Sequence, residues 1–210
     1  MILKSLVVGP LEVGCYIIGC DKTKEVAVID PGGNPEMITE TIKTNGYKLV
    51  YILGTHGHFD HIGGVENLQT NTECKFLINE DDKSLVENIK EQAQFFGFDT
   101  ADEPKIDAFV KDGDEINIGD LKVKVLATPG HTPGSVSFLI NNSVFVGDTV
   151  FQGSIGRTDL PGGSYDTLIN SIKEKLFTLN DDTKLYPGHG PSTTIQDEKK
   201  YNPFLNTLVL

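Results

Sequence analysis

The chain holds five histidines, His56, His58, His61, His131 and His189, and each falls just beyond an apolar stretch, among Gly, Pro and Thr. Loops at strand ends are where a rigid scaffold presents reactive side chains. The densest group is Thr55-His56-Gly57-His58-Phe59-Asp60-His61. His56 and His58 are two positions apart, so on extended backbone they project to the same side. Asp60 and His61 follow where the chain turns into a helix, so one short segment can offer two donors to one cation and two to a neighbouring cation. His131 stands in Thr128-Pro129-Gly130-His131-Thr132, Asp148 in Gly147-Asp148-Thr149, and His189 in Pro187-Gly188-His189-Gly190. A single loop histidine is ordinarily a solvated side chain. Five of them confined to strand-end Gly/Pro loops, with aspartates beside them, point to metal binding.

The set comprises five imidazoles and two carboxylates. That chemistry suits divalent cations, zinc first, with iron or manganese also compatible. Seven donors exceed one tetrahedral site and divide into two sites of three that share a carboxylate. Two cations about 3.5–4 Å apart hold a bridging water, lower its pKa from about 15.7 to about 7 and polarise a carbonyl. The expected reaction class is metal-assisted hydrolysis.

These loops need a scaffold of strands to hold them. Residues 15–18 and 26–29 are short apolar runs separated by the polar turn Asp21 to Lys24, and Asp30-Pro31-Gly32-Gly33 ends the second run. Asn34 as N-cap, Pro35 at the first helical position and Gly46 as a stop predict a helix, with Met37, Ile38, Thr41 and Ile42 on its buried face. Residues 49–53 are continuously apolar, as in a strand covered on both faces. A short helix through Val65 and Leu68, a strand at 75–78 and a helix over 81–96 with Leu85, Ile89 and Phe96 on or near one face follow. The second half starts afresh, with strands at 116–118, 121–126, 136–140 and 144–146, the last two a hairpin across Asn141-Asn142. Ser164 caps a helix with Leu168, Ile169, Ile172 and Leu176 inward. Residues 185–186 form a last strand, and Thr194 with Asp197 resembles a capping box. Each half therefore reads as a sheet with helices outside, an α/β architecture of two packed sheets.

With 210 residues, the chain fits one domain spanning 1–210. Its net charge of −12, without a dense Lys/Arg cluster, opposes nucleic acid as a partner. No stretch approaches the ~20 apolar residues of a membrane span, and residues 1–5 show no signal-peptide pattern. Cys15, Cys20 and Cys74 are odd in number and lack metal-type spacing, so they read as reduced thiols of a cytoplasmic protein.

The run His56 to His61 resembles the HxHxDH signature of the metallo-β-lactamase superfamily. Gly130-His131-Thr132-Pro133-Gly134-Ser135, Gly147-Asp148 and Gly188-His189-Gly190 match it in order and context. The resemblance implies a four-layer αββα sandwich of two similar half-domains. It also implies a first metal held by His56, His58 and His131, a second held by Asp60, His61 and His189, and Asp148 as the bridge. Asp60 would in addition act as the catalytic base. Within the superfamily the chain is similar to short glyoxalase II-like hydrolases, through the stretches Gly153 to Gly163 and Pro187 to Thr194, the latter followed by Asn202-Pro203-Phe204-Leu205. This implies a thioesterase acting on S-lactoylglutathione or a related small-molecule thioester or ester. Glyoxalase II carries basic glutathione contacts in a C-terminal helical segment. Here the chain stops at Leu210, so Arg157 is the expected contact for an anionic substrate, unless it pairs with Asp159 to hold its loop. Ser135 and Thr149 are either donors behind the ligands or plain loop residues.

The oxidoreductase alternative is a persulfide dioxygenase with a single iron, and a lactonase would use the same two-metal logic. Zinc β-lactamases usually place a Cys on the second metal, where this chain has Asp148. A nuclease is opposed by the charge.

Overall fold

The protein is described from a computed structural model, which covers residues 1–99 and 103–206. The first sheet runs in sequence order through β1 (Ile2–Val8), β2 (Val13–Gly19), β3 (Glu25–Ile29), β4 (Lys48–Leu53), β5 (Lys75–Asn79) and β6 (Ala108–Val110). Its first three strands are antiparallel. From β3 to β6 the pairing is parallel, which requires crossovers. Helices α1 (Pro35–Thr44), α2 (Phe59–Ile62), α3 (Val65–Asn71), α4 (Lys83–Glu87) and α5 (Ile89–Phe95) lie in those crossovers.

The second sheet is built from β7 (Glu115–Ile118), β8 (Leu121–Ala127), β9 (Val136–Ile140), β10 (Ser143–Gly147), β13 (Lys184–Pro187) and β14 (Thr193–Thr194), in the order β14-β13-β10-β9-β8-β7. Between β10 and β13 come the small hairpin β11 (Val150–Phe151) and β12 (Ser154–Ile155) and the helix α6 (Tyr165–Ser171), which continues as one π-helical stretch over Ile172–Leu176. Helix α7 (Ile195–Tyr201) follows β14.

Strand periodicity sorts the core into layers. Successive side chains leave a strand on opposite faces. Ile18, Ile29 and Leu53 thus meet Ile118, Val125, Phe138 and Phe145 between the sheets. Their neighbours Ile17, Val28 and Ile52 face outward onto Ile38, Ile42, Leu68 and Ile89 of the helices. On the far side Val144, Val146 and Leu185 pack against Leu168, Ile172, Leu176 and Ile195. The result is the expected αββα sandwich.

Several local expectations change. Asn34 does not cap α1 with its side chain: it sits at φ 49° and its Oδ1 accepts from the Gly9 N–H at 2.8 Å. Met37 is 40% exposed, so the buried face of α1 narrows to Ile38 and Ile42. The helix expected over 81–96 is broken. A 3₁₀ turn at Glu80–Asp82 leads into α4, and Asn88 separates α4 from α5. Asn88 donates from Nδ2 to the Ser84 carbonyl at 2.7 Å, the local side-chain bonding by which Asn competes with helix. Val86, Ile89 and Ala93 are buried there, while Phe96 stays exposed. Ser164 and Thr194 do cap α6 and α7, accepting from Thr167 and Asp197 N–H groups. Among the described residues no helix is long and apolar enough to cross a membrane.

Candidate metal centre

Strands β4, β8, β10 and β13 end along one edge of the sandwich, and their outgoing loops carry all the residues singled out by type. His56 and His58 occupy the extended segment after β4, while Asp60 and His61 lie on α2. His131 follows β8, Asp148 follows β10, and His189 follows β13. Two trios of side chains converge: His56, His58 and His131 in one, Asp60, His61 and His189 in the other, with donor atoms inside each trio within 4.8 Å. Asp148 stands between them. Its Oδ1 is 3.4 Å from His61 Nε2, and its Oδ2 is 3.5 Å from His131 Nε2 and 3.7 Å from His189 Nε2. Asp60 Oδ2 lies 3.4 Å from His189 Nε2 and 3.7 Å from His61 Nε2.

The hydrogen bonds determine which ring nitrogen faces inward. His61 Nδ1 donates to Asp30 Oδ2 at 3.0 Å. His131 Nδ1 donates to the Arg157 carbonyl at 2.7 Å, and His189 Nδ1 to the Leu11 carbonyl at 3.0 Å. The Thr55 hydroxyl donates to Asp30 Oδ2 at 2.7 Å, so at 3.1 Å it accepts from His56 Nδ1. In all four rings Nε2 is then the lone pair, aimed at the centre. His58 is turned the other way, with Nδ1 2.9 Å from His131 Nε2. Two lone pairs this close repel unless a proton or a cation lies between them.

The donor set fits metal ions on an independent ground. Among the described residues, the buried side-chain atoms without a hydrogen-bond partner are His56 Nε2, His61 Nε2 and Asp148 Oδ1. Buried polar atoms are otherwise satisfied as a rule. Three unpaired ones, all lone pairs and all facing one point, describe a cradle for a cation. Charge agrees. Burial holds His56 well below the usual imidazole range, and burial with the adjacent His131 pushes His58 down to about 4, so both are neutral donors. Burial opposes a charge on His61, but the Asp148 and Asp60 carboxylates outweigh it and raise that ring. Burial would raise Asp148 too, yet the imidazoles, His61 foremost, keep it far below the carboxylate range. The pocket calls for positive charge, which a divalent cation supplies in place of protons.

Three further groups hold the centre, and none was singled out as functional from the sequence. Asp30, buried at the end of β3, binds Thr55 N at 2.8 Å as well as the Thr55 hydroxyl and His61. Its setting, Asp30-Pro31-Gly32-Gly33 after an apolar strand, is the same signal that marked Asp148. Asp82 is fully buried and joins the two halves. Its Oδ2 accepts from Gly57 N at 2.8 Å and from the Thr132 hydroxyl at 2.7 Å, and its Oδ1 from Gly134 N at 2.7 Å. Burial raises its carboxyl. In sequence it closes an acidic run, Glu80-Asp81-Asp82, that looks solvated. Tyr16 on β2 donates to the Pro187 carbonyl at 2.6 Å, two residues before His189. Glycine is required at 188, because a Cβ there would meet Asp148 Oδ1 and His61, and at 32, where it would meet the Asp60 carbonyl oxygen.

The remaining expectations concern the rim. The Arg157 guanidinium takes the second of its two expected roles: Nε and one terminal nitrogen hold both oxygens of Asp159, at 2.8 and 2.7 Å. Ser135 and Thr149 are loop residues, not donors to the histidines. The Ser135 hydroxyl binds Thr132, and that of Thr149 donates to Thr128. A cavity of about 510 Å³ opens over the centre, reached by His58, Asp60, His131, Asp148 and His189.

Comparison with known proteins identifies the family and the fold. The family model described as "Metallo-beta-lactamase superfamily" matches residues 8–189. A hydroxyacylglutathione hydrolase, GloC, of Haemophilus influenzae is 41% identical over 99% of both chains. Among solved structures, the BLEG-1 B3 metallo-beta-lactamase superposes with a TM-score of 0.91 at 33% identity, over 98% of this chain and 100% of that one. TTHA1623, solved in a di-iron-bound form, gives 0.89 at 35% identity, over 96% and 100%.

Proposed function

The chain belongs to the metallo-β-lactamase superfamily, and from that premise we propose that it is a cytoplasmic hydrolase of acyl thioesters, S-lactoylglutathione or a related one, built on two divalent cations. The observation that carries this reading is the set of unpaired buried donor atoms on His56, His61 and Asp148, facing one point between the two trios. His56, His58 and His131 would hold one cation, Asp60, His61 and His189 the other, and Asp148 would reach both. Bound there, the cations lower the pKa of a water and act as Lewis acids on a carbonyl. Zinc is the first choice, and the di-iron form of TTHA1623 supports iron on a comparable scaffold.

The protein's own groups do the rest. Asp60 lines the cavity, and its carboxylate orients the attacking water and accepts its proton. Burial alone would raise that carboxyl, but His61 and His189 hold it below the usual range, so it is ionised at neutral pH. Carbonyl acceptors at Arg157 and Leu11 keep His131 and His189 in one tautomer and one orientation. The GloC relative supports thioester hydrolysis over lactone hydrolysis, and the buried free cysteines are consistent with a reducing compartment.

The test is to measure metals per chain by plasma emission spectrometry and to assay S-lactoylglutathione hydrolysis beside oxygen uptake with glutathione persulfide. Two cations with thioester hydrolysis are expected. One iron with oxygen consumption overturns the reading in favour of a dioxygenase. Asp60→Ala should abolish hydrolysis with an unchanged circular dichroism spectrum; an active variant would remove Asp60 from the reaction.

A further inference from the structure

The cavity over the metal centre has a polar floor and an apolar wall. Leu11, Phe59, Phe96, Phe151, Ile155 and Leu160 surround the convergent imidazoles and carboxylates. The wall is continuous with the centre. Phe59 begins α2, the helix that carries Asp60 and His61, and its ring stacks on Phe96 at 5.7 Å and Phe98 at 5.8 Å. On the other side Phe151 meets the His189 ring edge-on at 6.1 Å. Beside Phe96, Phe95 is 82% exposed, so aromatic surface extends past the mouth of the cavity. Exposed aromatic surface at a cavity mouth marks a site that takes up apolar material.

Charge points the same way. A glutathione thioester carries two carboxylates and one ammonium, and charge-assisted bonds from cationic side chains are the strong way to receive the carboxylates. Away from the metal centre, Arg157 is the sole Lys or Arg among the described residues that line the cavity, and both oxygens of Asp159 already occupy its fork. Residues 100–102 and 207–210 contain no Lys or Arg, and the whole chain carries −12. Volume does not decide the matter, because about 510 Å³ accommodates either kind of molecule. The distribution of charge does.

We infer that the preferred substrate is an uncharged thioester with an extended apolar arm, which lies along the Phe59, Phe96 and Leu160 wall while its carbonyl faces the metal centre. The inference rests on the thioesterase reading and moves the preferred substrate from S-lactoylglutathione to the related uncharged thioesters.

The metal-loaded protein should be assayed with N-acetylcysteamine thioesters of acetyl, butyryl, hexanoyl and octanoyl groups, beside S-lactoylglutathione. kcat/KM should rise with chain length, by up to about fourfold per methylene, as expected for burying each CH₂. Hexanoyl and octanoyl esters should exceed S-lactoylglutathione. Phe96→Ala should lower the octanoyl-to-acetyl ratio. Binding gives a second readout that needs no turnover. By calorimetry, S-octyl-N-acetylcysteamine should bind more tightly than S-octylglutathione, which has the same arm and added charge. A flat chain-length series, or tighter binding of the glutathione thioether, overturns the inference while leaving the thioesterase reading intact. No hydrolysis of any thioester, neutral or glutathione-borne, overturns both.

Discussion

The first half-domain delivers His56, His58, Asp60 and His61 from one short stretch, whereas the second delivers His131, Asp148 and His189 from three loops, and the two groups are held differently. Buried carboxylates hold the first group: Asp30 grips Thr55 and His61, and Asp82 grips Gly57 between the first two histidines. Backbone holds much of the second. His131 leans on the Arg157 carbonyl and His189 on the Leu11 carbonyl, and Gly188 brings the chain against Asp148 and His61. Neither half is self-sufficient. The loop of His189 is pinned by β2 and the turn before it, through Gly14 N to the Gly188 carbonyl at 2.7 Å, through Tyr16 to Pro187 and through the Leu11 carbonyl. Asp82, from the first half-domain, also holds Thr132 and Gly134 around His131. Side-chain anchors can be removed one at a time; backbone anchors yield only when a loop is rebuilt.

The most severe disruption should come from Asp148→Ala, which removes the group that both trios share. Hydrolysis should become undetectable and metal content should fall below two ions per chain. Full content with normal turnover would show that the trios work without a bridge. Asp82→Asn and Asp30→Asn separate the anchor that spans both halves from the one confined to the first. An amide at 82 turns an N–H toward a donor that had a carboxylate oxygen, so either Gly57 or the Gly134 side loses its partner. This costs about 1–3 kcal/mol in thermal or denaturant unfolding. Affinity for one cation should drop by about 10–100-fold, the usual effect of losing a group behind a ligand. Competitive chelation should place the Asp82→Asn loss at the ion bound by His56, His58 and His131, and should divide the Asp30→Asn loss between both ions, through His61 for one and through Thr55 and His56 for the other. Identical binding curves for the two variants would erase the distinction. The smallest effect belongs to Tyr16→Phe, which removes one hydrogen bond across the sheets. Stability should fall by about 1 kcal/mol, with a modest decline in turnover through the His189 loop. A loss as large as that of Asp82→Asn would mean that the Tyr16 side chain, not the backbone bonds, is the main anchor of the His189 loop.

The chemistry of the centre was legible in sequence because the signal is local. His56 and His58 at a spacing of two, and Gly or Pro beside each remaining ligand, fix direction and context within a few residues. The central strands were legible for the same reason, since β2 to β5 and β8 to β10 carry their own apolar pattern. Of the edge strands, β7 was read at 116–118 from its alternating pattern, while β1, β6 and β14 went unread. Each pairs with a single neighbour, so less of its pattern is dictated by burial.

What only the tertiary structure decided is how distant segments complete one another. No spacing rule ties Asp82 to Gly57 and Gly134, or Tyr16 to Pro187, because the first bond needs β4 and β5 side by side and the other two exist only once the two sheets pack face to face. The inward nitrogen of each ring likewise depends on an acceptor elsewhere in the chain for His61, His131 and His189. The apolar wall is the clearest case. Leu11, Phe96, Phe151 and Leu160 are scattered in sequence and carry no shared pattern, and they become one surface because four separate loops end at the same edge of the sandwich.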